Sequence, residues 1–567
     1  MNKAVPGKAW PWAALALALF ITGAVMACLR HTDVDTAWLL TLGDKMLDGQ
    51  RPYIDMFEAN PPMSILLYLP AVIAGRGLGV APEILVNLLL LLAIAASLAL
   101  SGRALSPCLG DRVKLWKLAA VGAFVLTVLP TGVFAEREHI VMIAILPFLA
   151  VVFARSQARP PGVLKHVGID PSHLQIRSSP RRRGPRGLGA IREAAAPKSA
   201  AARWSPVALG PRLRGDERQF GANKSPPALI AAIAGLGCGV AMAIKPHFAL
   251  VAGGALLVSA WRMRSVRPLF ALEVWAASLV VGLYALALVV VFPAFLAFLP
   301  IIRDTYLPVR QPLIQLLIWP PPLVWLILGG LAILIARIRP GAGWMVATLL
   351  AASAGGFGSY LIQGKGWPYH SYPMLSLAVL ALGASVSLGA PAGATATSLL
   401  SNRAIRIGAV AASLMIVIGA LSATMSWFTL KGDYHFLNGP VAAIAPHPRL
   451  ISITADIAVG HPLTRELHGT WVGSDCSQWI SAGVMTLEHR GGLSDAQRAR
   501  LDGLMVQDRQ RLTHDITTGH PDVILISTNR DWIGWAMADP ALAVALAAYH
   551  PVETVQGVAI WARNSPA

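Results

Sequence analysis

Up to about residue 425 the chain alternates long apolar runs with short basic or Pro/Gly-rich breaks. A helix needs about 20 apolar residues to cross ~30 Å of hydrocarbon. Such windows fall at 10–29, 83–101, 118–134, 139–154, 228–244, 248–261, 269–292, 313–336, 343–362, 371–389 and 404–425, which predicts about eleven transmembrane helices. The first follows Lys3 and Lys8 as a signal peptide would, but it lacks a small-residue cleavage site and reads as a retained helix. Past residue 430 the pattern changes. "LISIT" (450–454), "DVILIS" (522–527) and "GVAIWAR" (557–563) have strand composition, while 494–515 and 540–549 have helical spacing. The chain therefore divides into a transmembrane domain over 1–430 and a C-terminal α/β domain over 431–567.

Composition narrows the class. With 55% hydrophobic and 13% charged residues, and a mean hydropathy of +0.58, the chain is not a soluble globular domain, which carries about 25% charged residues. It reads as a polytopic α-helical membrane protein. The net charge of +18 fits nucleic acid, anionic lipid or topology, and its distribution decides between them. If the apolar run Pro62–Val80 does not cross, 28 Lys and Arg lie on one side and 9 on the other up to residue 430. The positive-inside rule then puts the N-terminus in the cytoplasm and the C-terminal domain outside, with 62–80 a juxtamembrane or re-entrant helix. The segment 157–226 holds much of the basic excess in Pro-, Gly-, Ala- and Ser-rich sequence; "SSPRRRGPR" and "GPRLRGDER" look like translated dispersed repeats. It is expected to be a disordered cytoplasmic insertion near anionic lipid, with no nucleic-acid role. Cys28, Cys108, Cys238 and Cys476 have no paired spacing and imply neither a zinc site nor a disulfide framework.

On this topology four polar clusters share the outer side. The loop 30–82 carries Asp33, Asp35, Asp44, Asp48, Asp55 and Glu58. Trp38, Leu39, Leu42, Met46 and Leu47 form a helical apolar face within it, predicting a helix lying flat on the membrane with Asp44 and Asp48 solvated. "FAEREHI" brings Glu136, Arg137, Glu138 and His139 between two spans, and "AIKPHFA" places Lys245 and His247 at a helix break. "YLIQGKGWPYHSYP" adds Gln363, Lys365, Trp367, Tyr369, His370 and Tyr372. Taken singly, Arg137, Trp367 and Tyr369 read as interfacial anchors, and the histidines lack the i, i+4 spacing of a zinc protease. Taken together, they are ionisable groups converging at membrane depth, where such groups are costly and functional. Carboxylates can take a proton from an acceptor hydroxyl, while cations hold a departing phosphate without requiring a metal.

The stretch "DVDTAWLLTLGDKMLDGQRPYIDMFEANPPMSILLYLP" resembles the first outer loop of C-type-fold glycosyltransferases. That polyprenyl-phosphate-sugar-dependent group includes protein O-mannosyltransferases and aminoarabinose transferases. In it, an Asp near the end of the first helix leads a juxtamembrane helix, a Gly…Pro-Tyr turn, an acidic residue and a Pro-Pro or Lys-Pro step. The order "FAEREH", "KPHF", "QGKGWPYH" and a polar C-terminal domain is similar to bacterial members, so the resemblance covers the chain apart from 157–226. It implies Asp35, or Asp33 two residues earlier, as catalytic base and Glu58 as the second acidic residue. Glu136 or Glu138 takes the acidic position between the third and fourth spans. Lys245 and Lys365 become donor-phosphate contacts, with Arg137, His139, His247, Tyr369 and His370 assisting in substrate binding. The usual Asp-Glu pair reads Asp35-Thr36 here, and "ANPP" lacks the Lys of Lys-Pro, which leaves a divalent metal open although none is required.

The expected activity is transfer of a sugar from a polyprenyl-phosphate donor to a cell-envelope glycan, lipid or protein at the outer face of a bacterial inner membrane. Two other classes compete. A transporter or lipid flippase predicts paired halves and mid-membrane charges, whereas this chain shows no internal repeat and its charges fall at helix ends. A non-catalytic envelope-assembly scaffold predicts that Asp33, Asp35 and Glu58 do not converge with the lysines around one site.

Overall fold

In a computed structural model, residues 8–157, 225–389, 403–430 and 432–564 are described. The protein is mostly helical, as its apolar runs require. The bundle comprises α1 (Trp10–Leu29), α2 (Val34–Leu47), α3 (Met63–Leu66), α4 (Leu69–Leu78), α5 (Pro82–Leu109), α6 (Arg112–Ala123), α7 (Arg137–Gln157) and α8 (Ala228–Ile244). It continues through α9 (Ala249–Met263), α10 (Leu272–Val290), α11 (Pro293–Ile301), α12 (Leu313–Ile318), α13 (Pro320–Ile338), α14 (Gly343–Gln363), α15 (Tyr372–Leu388) and α16 (Arg403–Phe428).

Among the described residues, eight helices are long and apolar enough to cross a membrane, which makes this a membrane-embedded protein. Three of the windows expected to cross form shorter helices. α8 has 17 residues and α9 has 15, while α6 has 12 and continues into a π-helical turn, Phe124–Val128. The window 313–336 is broken: Pro320, Pro321 and Pro322 start a new helix after Trp319, because proline suits a first turn but not a helix interior. The expected insertion over 157–226 lies, from 158 to 224, outside the described residues.

α7 and α15 form the centre, with 78% and 83% of their membrane-length windows buried against 11% for α10. α7 packs against α5, α8 and α9; α10 lies along α8, and α14 lies between α9 and α15. Small residues permit the close crossings, as where Gly355 of α14 meets the Leu250 backbone without room for a Cβ. At its C-terminal end α7 is tied down by charge. Arg155 makes a bidentate pair with Glu273 of α10, both bonds 2.7 Å, the planar geometry in which a guanidinium binds a carboxylate best.

The run Pro62–Val80 is not one of the eight membrane-length helices: it is divided into α3 and α4, and side chains from between them and from α4 hold it to neighbouring loops and helices. Tyr68 Oη donates to the Ala135 carbonyl at 2.7 Å, and Arg76 donates to Asp44 at 3.0 Å and Asp48 at 2.8 Å.

The C-terminal region is a five-stranded mixed sheet in the order β2-β1-β3-β5-β4: β1 (Arg449–Ile453), β2 (Thr470–Trp471), β3 (Val523–Ser527), β4 (Tyr549–Val555) and β5 (Val558–Arg563). β1 pairs in parallel with β2 and β3, while β3–β5 and β5–β4 are antiparallel. The three expected strands are β1, β3 and β5. The helix expected over 494–515 runs Asp495–Gly519, started by a Ser494/Gln497 capping box. The helix expected over 540–549 is Pro540–Leu546, and Tyr549 instead opens β4. Alternating burial fails to reveal β4 because it is exposed along most of its length as the sheet edge.

The flat surface helix expected after α1 is corrected. Thr36 to Gly43 of α2 are all buried, because the C-terminal domain packs against this end of the bundle. The Trp38 ring lies 5.2 Å from that of His461, and Phe57 N donates to the Ser474 carbonyl at 2.9 Å. Asp44 is not simply a solvated residue: it pairs with Arg76 at 3.0 Å and with Arg465 of the C-terminal domain at 2.8 Å. Asp48 also pairs with Arg76 but keeps most of its side chain exposed.

Candidate functional site

Asp33 determines where α2 begins. Its carboxylate accepts from the backbone amides of Asp35 at 3.1 Å and Thr36 at 3.4 Å, satisfying amide donors that have no partner inside the helix. Asp35, in the first turn, receives a hydrogen bond from Arg137 Nη2 at 3.1 Å. Arg137 Nη1 also lies 4.0 Å from Glu58. Glu58 is fixed independently, by Trp38 Nε1 donating at 2.7 Å and the Asn60 amide donating at 2.9 Å. The same helix thus supplies a carboxylate and the indole that orients a second one.

Arg137 enters from a turn with unusual backbone geometry. Ala135 has φ of +69°, a left-handed conformation that a non-glycine residue adopts only when its surroundings impose it. Its carbonyl is held by Tyr68, and its amide donates to His139 Nδ1 at 3.2 Å. His139 Nε2 donates to the Leu126 carbonyl at 2.8 Å. Both ring nitrogens of His139 are therefore spent on backbone, and this residue shapes the turn rather than facing a substrate.

The next residues complete the cluster. Glu138 accepts from Lys245 Nζ at 2.7 Å, and Gln363 Oε1 accepts from the same ammonium at 2.9 Å. Lys245 arrives there because α8 ends at Ile244 and Pro246 cannot continue the helix. The Tyr369 ring lies under both cations, 5.6 Å from Lys245 Nζ and 5.9 Å from Arg137 Cζ, a cation–π arrangement. Burial and the neighbouring Asp35 push the Glu136 carboxyl well above its usual range. Burial lowers the Lys245 ammonium, opposed by the charge of Glu138.

Around this cluster are polar atoms without hydrogen bonds among the described residues: Nε2 of His247, Nε2 of Gln363 and Nδ1 of His370. His247 and His370 lie in electrostatic reach of Lys245. Burial first, and that ammonium second, push His247 down to about 3, which keeps its imidazole neutral. Buried polar atoms are normally paired, so these mark where a polar ligand would be accommodated. Asp33, Asp35 and Glu136 also bring one oxygen each within 4.8 Å of the others, an all-oxygen set suited to a hard divalent cation.

Lys365 is placed differently from Lys245. Its Nζ donates to the carbonyls of Tyr306, at 2.6 Å, and Val309, and lies 4.1 Å over the Tyr306 ring. Burial, then the charges of Arg310 and Arg490, lower it to about 8. Tyr306 itself escaped the sequence reading. It is half-buried beside the cluster, within electrostatic reach of Arg137, Asp35 and Glu58, and "RDTY" after an apolar run is the available signal. Asn60 was likewise missed, although it directly precedes the Pro-Pro step.

The structure thus brings Asp33, Asp35, Glu58, Glu136, Arg137, Glu138, Lys245 and Tyr369 to one place, with His247 and His370 beside them. His139 supports it from behind, and Lys365 is turned onto backbone. No family model matches the chain, and no curated protein matches it.

Proposed function

We propose that this chain is an integral-membrane glycosyltransferase that moves a sugar from a polyprenyl-phosphate carrier to a glycan, lipid or protein acceptor. The reaction would take place at the outer face of a bacterial inner membrane. One observation carries the reading: the convergence of Asp35 and Glu58 with Arg137 and Lys245 from separate segments of the chain.

In this mechanism Asp35 takes the proton from the acceptor hydroxyl as that oxygen bonds to the anomeric carbon, and the bond from that carbon to the phosphate oxygen breaks. Arg137 and Lys245 stabilise the charge gathering on the leaving polyprenyl phosphate. His370, Gln363 and His247 offer hydrogen-bonding atoms to the phosphate or sugar. Glu58, held by Trp38 and Asn60, orients Arg137 and the acceptor. A single displacement of this kind inverts the anomeric centre. A cation held by Asp33, Asp35 and Glu136 would add further charge stabilisation, but the steps above do not depend on one.

The helix-end location suits a lipid-linked donor, which reaches the site laterally from the bilayer. Membranes containing the protein, incubated with labelled polyprenyl-phosphate sugars and candidate acceptors, should transfer label. Asp35→Asn should lower transfer by about 100-fold or more, the usual contribution of a general base. Equal transfer by both proteins removes Asp35 from the role. Movement of donor across sealed vesicles without a new glycosidic bond would replace the reading with a flippase.

A further inference from the structure

A second polar group lies on the other side of Asp33. His31, just after α1, and His435 and Glu466, from the C-terminal region, gather at a cavity of about 520 Å³ whose wall also includes Arg30 and Asp33. Glu466 Oε1 lies 3.2 Å from His31 Nδ1 and 3.0 Å from His435 Nε2, and the three ligand atoms lie within 4.8 Å of one another. A tetrahedral ion with bonds of ~2.0–2.1 Å separates its ligands by about 3.3 Å, so two of the three edges already have the required length.

The surrounding residues are arranged as a metal site needs. His435 Nδ1 bonds to the Asp433 carboxylate, which leaves Nε2 as the ligating nitrogen. Asn438 Nδ2 donates to the other oxygen of Glu466 at 2.9 Å and fixes its orientation. A carboxylate behind a ligating histidine and an amide behind a ligating carboxylate are the supports that orient metal ligands. The rings of His31 and His435 lie with centroids 4.0 Å apart.

We infer that His31, His435 and Glu466 form a binding site for a divalent first-row metal ion of the zinc type, joining the end of α1 to the C-terminal domain and leaving a coordination position for a ligand in the cavity. Two imidazoles and one carboxylate are the donor set that such an ion favours over magnesium or calcium. The site is independent of the glycosyltransferase reading, and its test uses no transfer assay.

The full-length protein, purified in detergent and stripped with chelator, is titrated with Zn²⁺ by calorimetry and with Co²⁺ by visible absorption. The expected result is one ion per chain, with the intense ligand-field bands of a tetrahedral cobalt site. His31→Ala and Glu466→Gln should abolish stoichiometric binding, and Asp433→Asn should weaken it about 10–100-fold. His31 is largely exposed, so the stripped His31→Ala protein should unfold at the temperature of the stripped wild type. It should then lose only the rise in Tm that Zn²⁺ gives the wild type. Absence of stoichiometric Zn²⁺ and Co²⁺ binding to the wild type, or unchanged affinity in both His31→Ala and Glu466→Gln, overturns the inference.

Discussion

The two clusters that meet at Asp33 are built on opposite principles. The Arg137–Lys245 cluster is buried, and its main ion pairs join one helix end to another: Arg137 and Glu138 at the start of α7, Lys245 after α8, Asp35 at the start of α2. The His31–His435–Glu466 cluster is open to solvent on one side, and two of its three residues come from the C-terminal region. Charges in the first are mutually dependent, since each would be stranded in a low-dielectric setting without its partner. The contacts in the second are open to water and contribute little to folding. On the proposed function the first arrangement would hold charge ready for a reaction; on the inferred metal site the second would change its occupancy without disturbing the fold.

Mutations sharpen that contrast. Lys245→Met leaves Glu138 buried and unpaired, and should cost about 3–5 kcal/mol of stability, measured by thermal unfolding in detergent. The double variant Lys245→Met/Glu138→Leu should recover most of that loss, because both charges are then absent. Arg465→Met, which removes the pairs to Asp44 and Glu83, should cost about 1.5–3 kcal/mol. It should also increase proteolysis of the C-terminal domain in limited digestion. His31→Ala in metal-free protein should change stability by less than ~1 kcal/mol. A loss as large as that of Lys245→Met would erase the distinction between the clusters.

The smallest effect concerns pH. Burial, and then the charges of Arg310 and Arg490, push the Lys365 ammonium down to about 8 from its ordinary value of 10.5. Between those values the unfolded chain holds a proton that the folded chain lacks, so this residue makes stability rise as pH rises from about 8 to 10.5. Lys365→Met should flatten that component, seen as a smaller gain in Tm across the window than the wild type shows.

What could be read in advance follows from the range of the interactions. The membrane class and most helix positions depend on local apolar runs, and the buried cluster on residues at the ends of those runs. Asp35, Glu138 and Lys245 were therefore visible beside their helices. The pairing of Arg137 with Asp35 joins positions 102 residues apart, and only a topology that placed both at one end of the bundle made their meeting expected. His139, expected to assist in substrate binding, is bonded to backbone through both ring nitrogens, and the left-handed turn at Ala135 that it supports is announced by no composition signal. The apolar face of α2 predicts a helix on lipid, but the surface covering α2 includes the C-terminal domain, whose His461 ring packs on Trp38 and whose Arg465 pairs with Asp44. The pairing of His31 with Glu466 spans 435 residues and has no spacing motif, so only the folded chain reveals it.

In the proposed reaction Asp35 acts on the acceptor while Arg137 and Lys245 hold the donor phosphate. Its most direct test is steady-state transfer by purified protein over a range of donor concentrations, comparing wild type with Asp35→Asn. If Asp35 is the base, kcat falls by about 10²–10⁴-fold while the donor KM changes little. A variant that keeps the wild-type kcat and changes only the donor KM would contradict it.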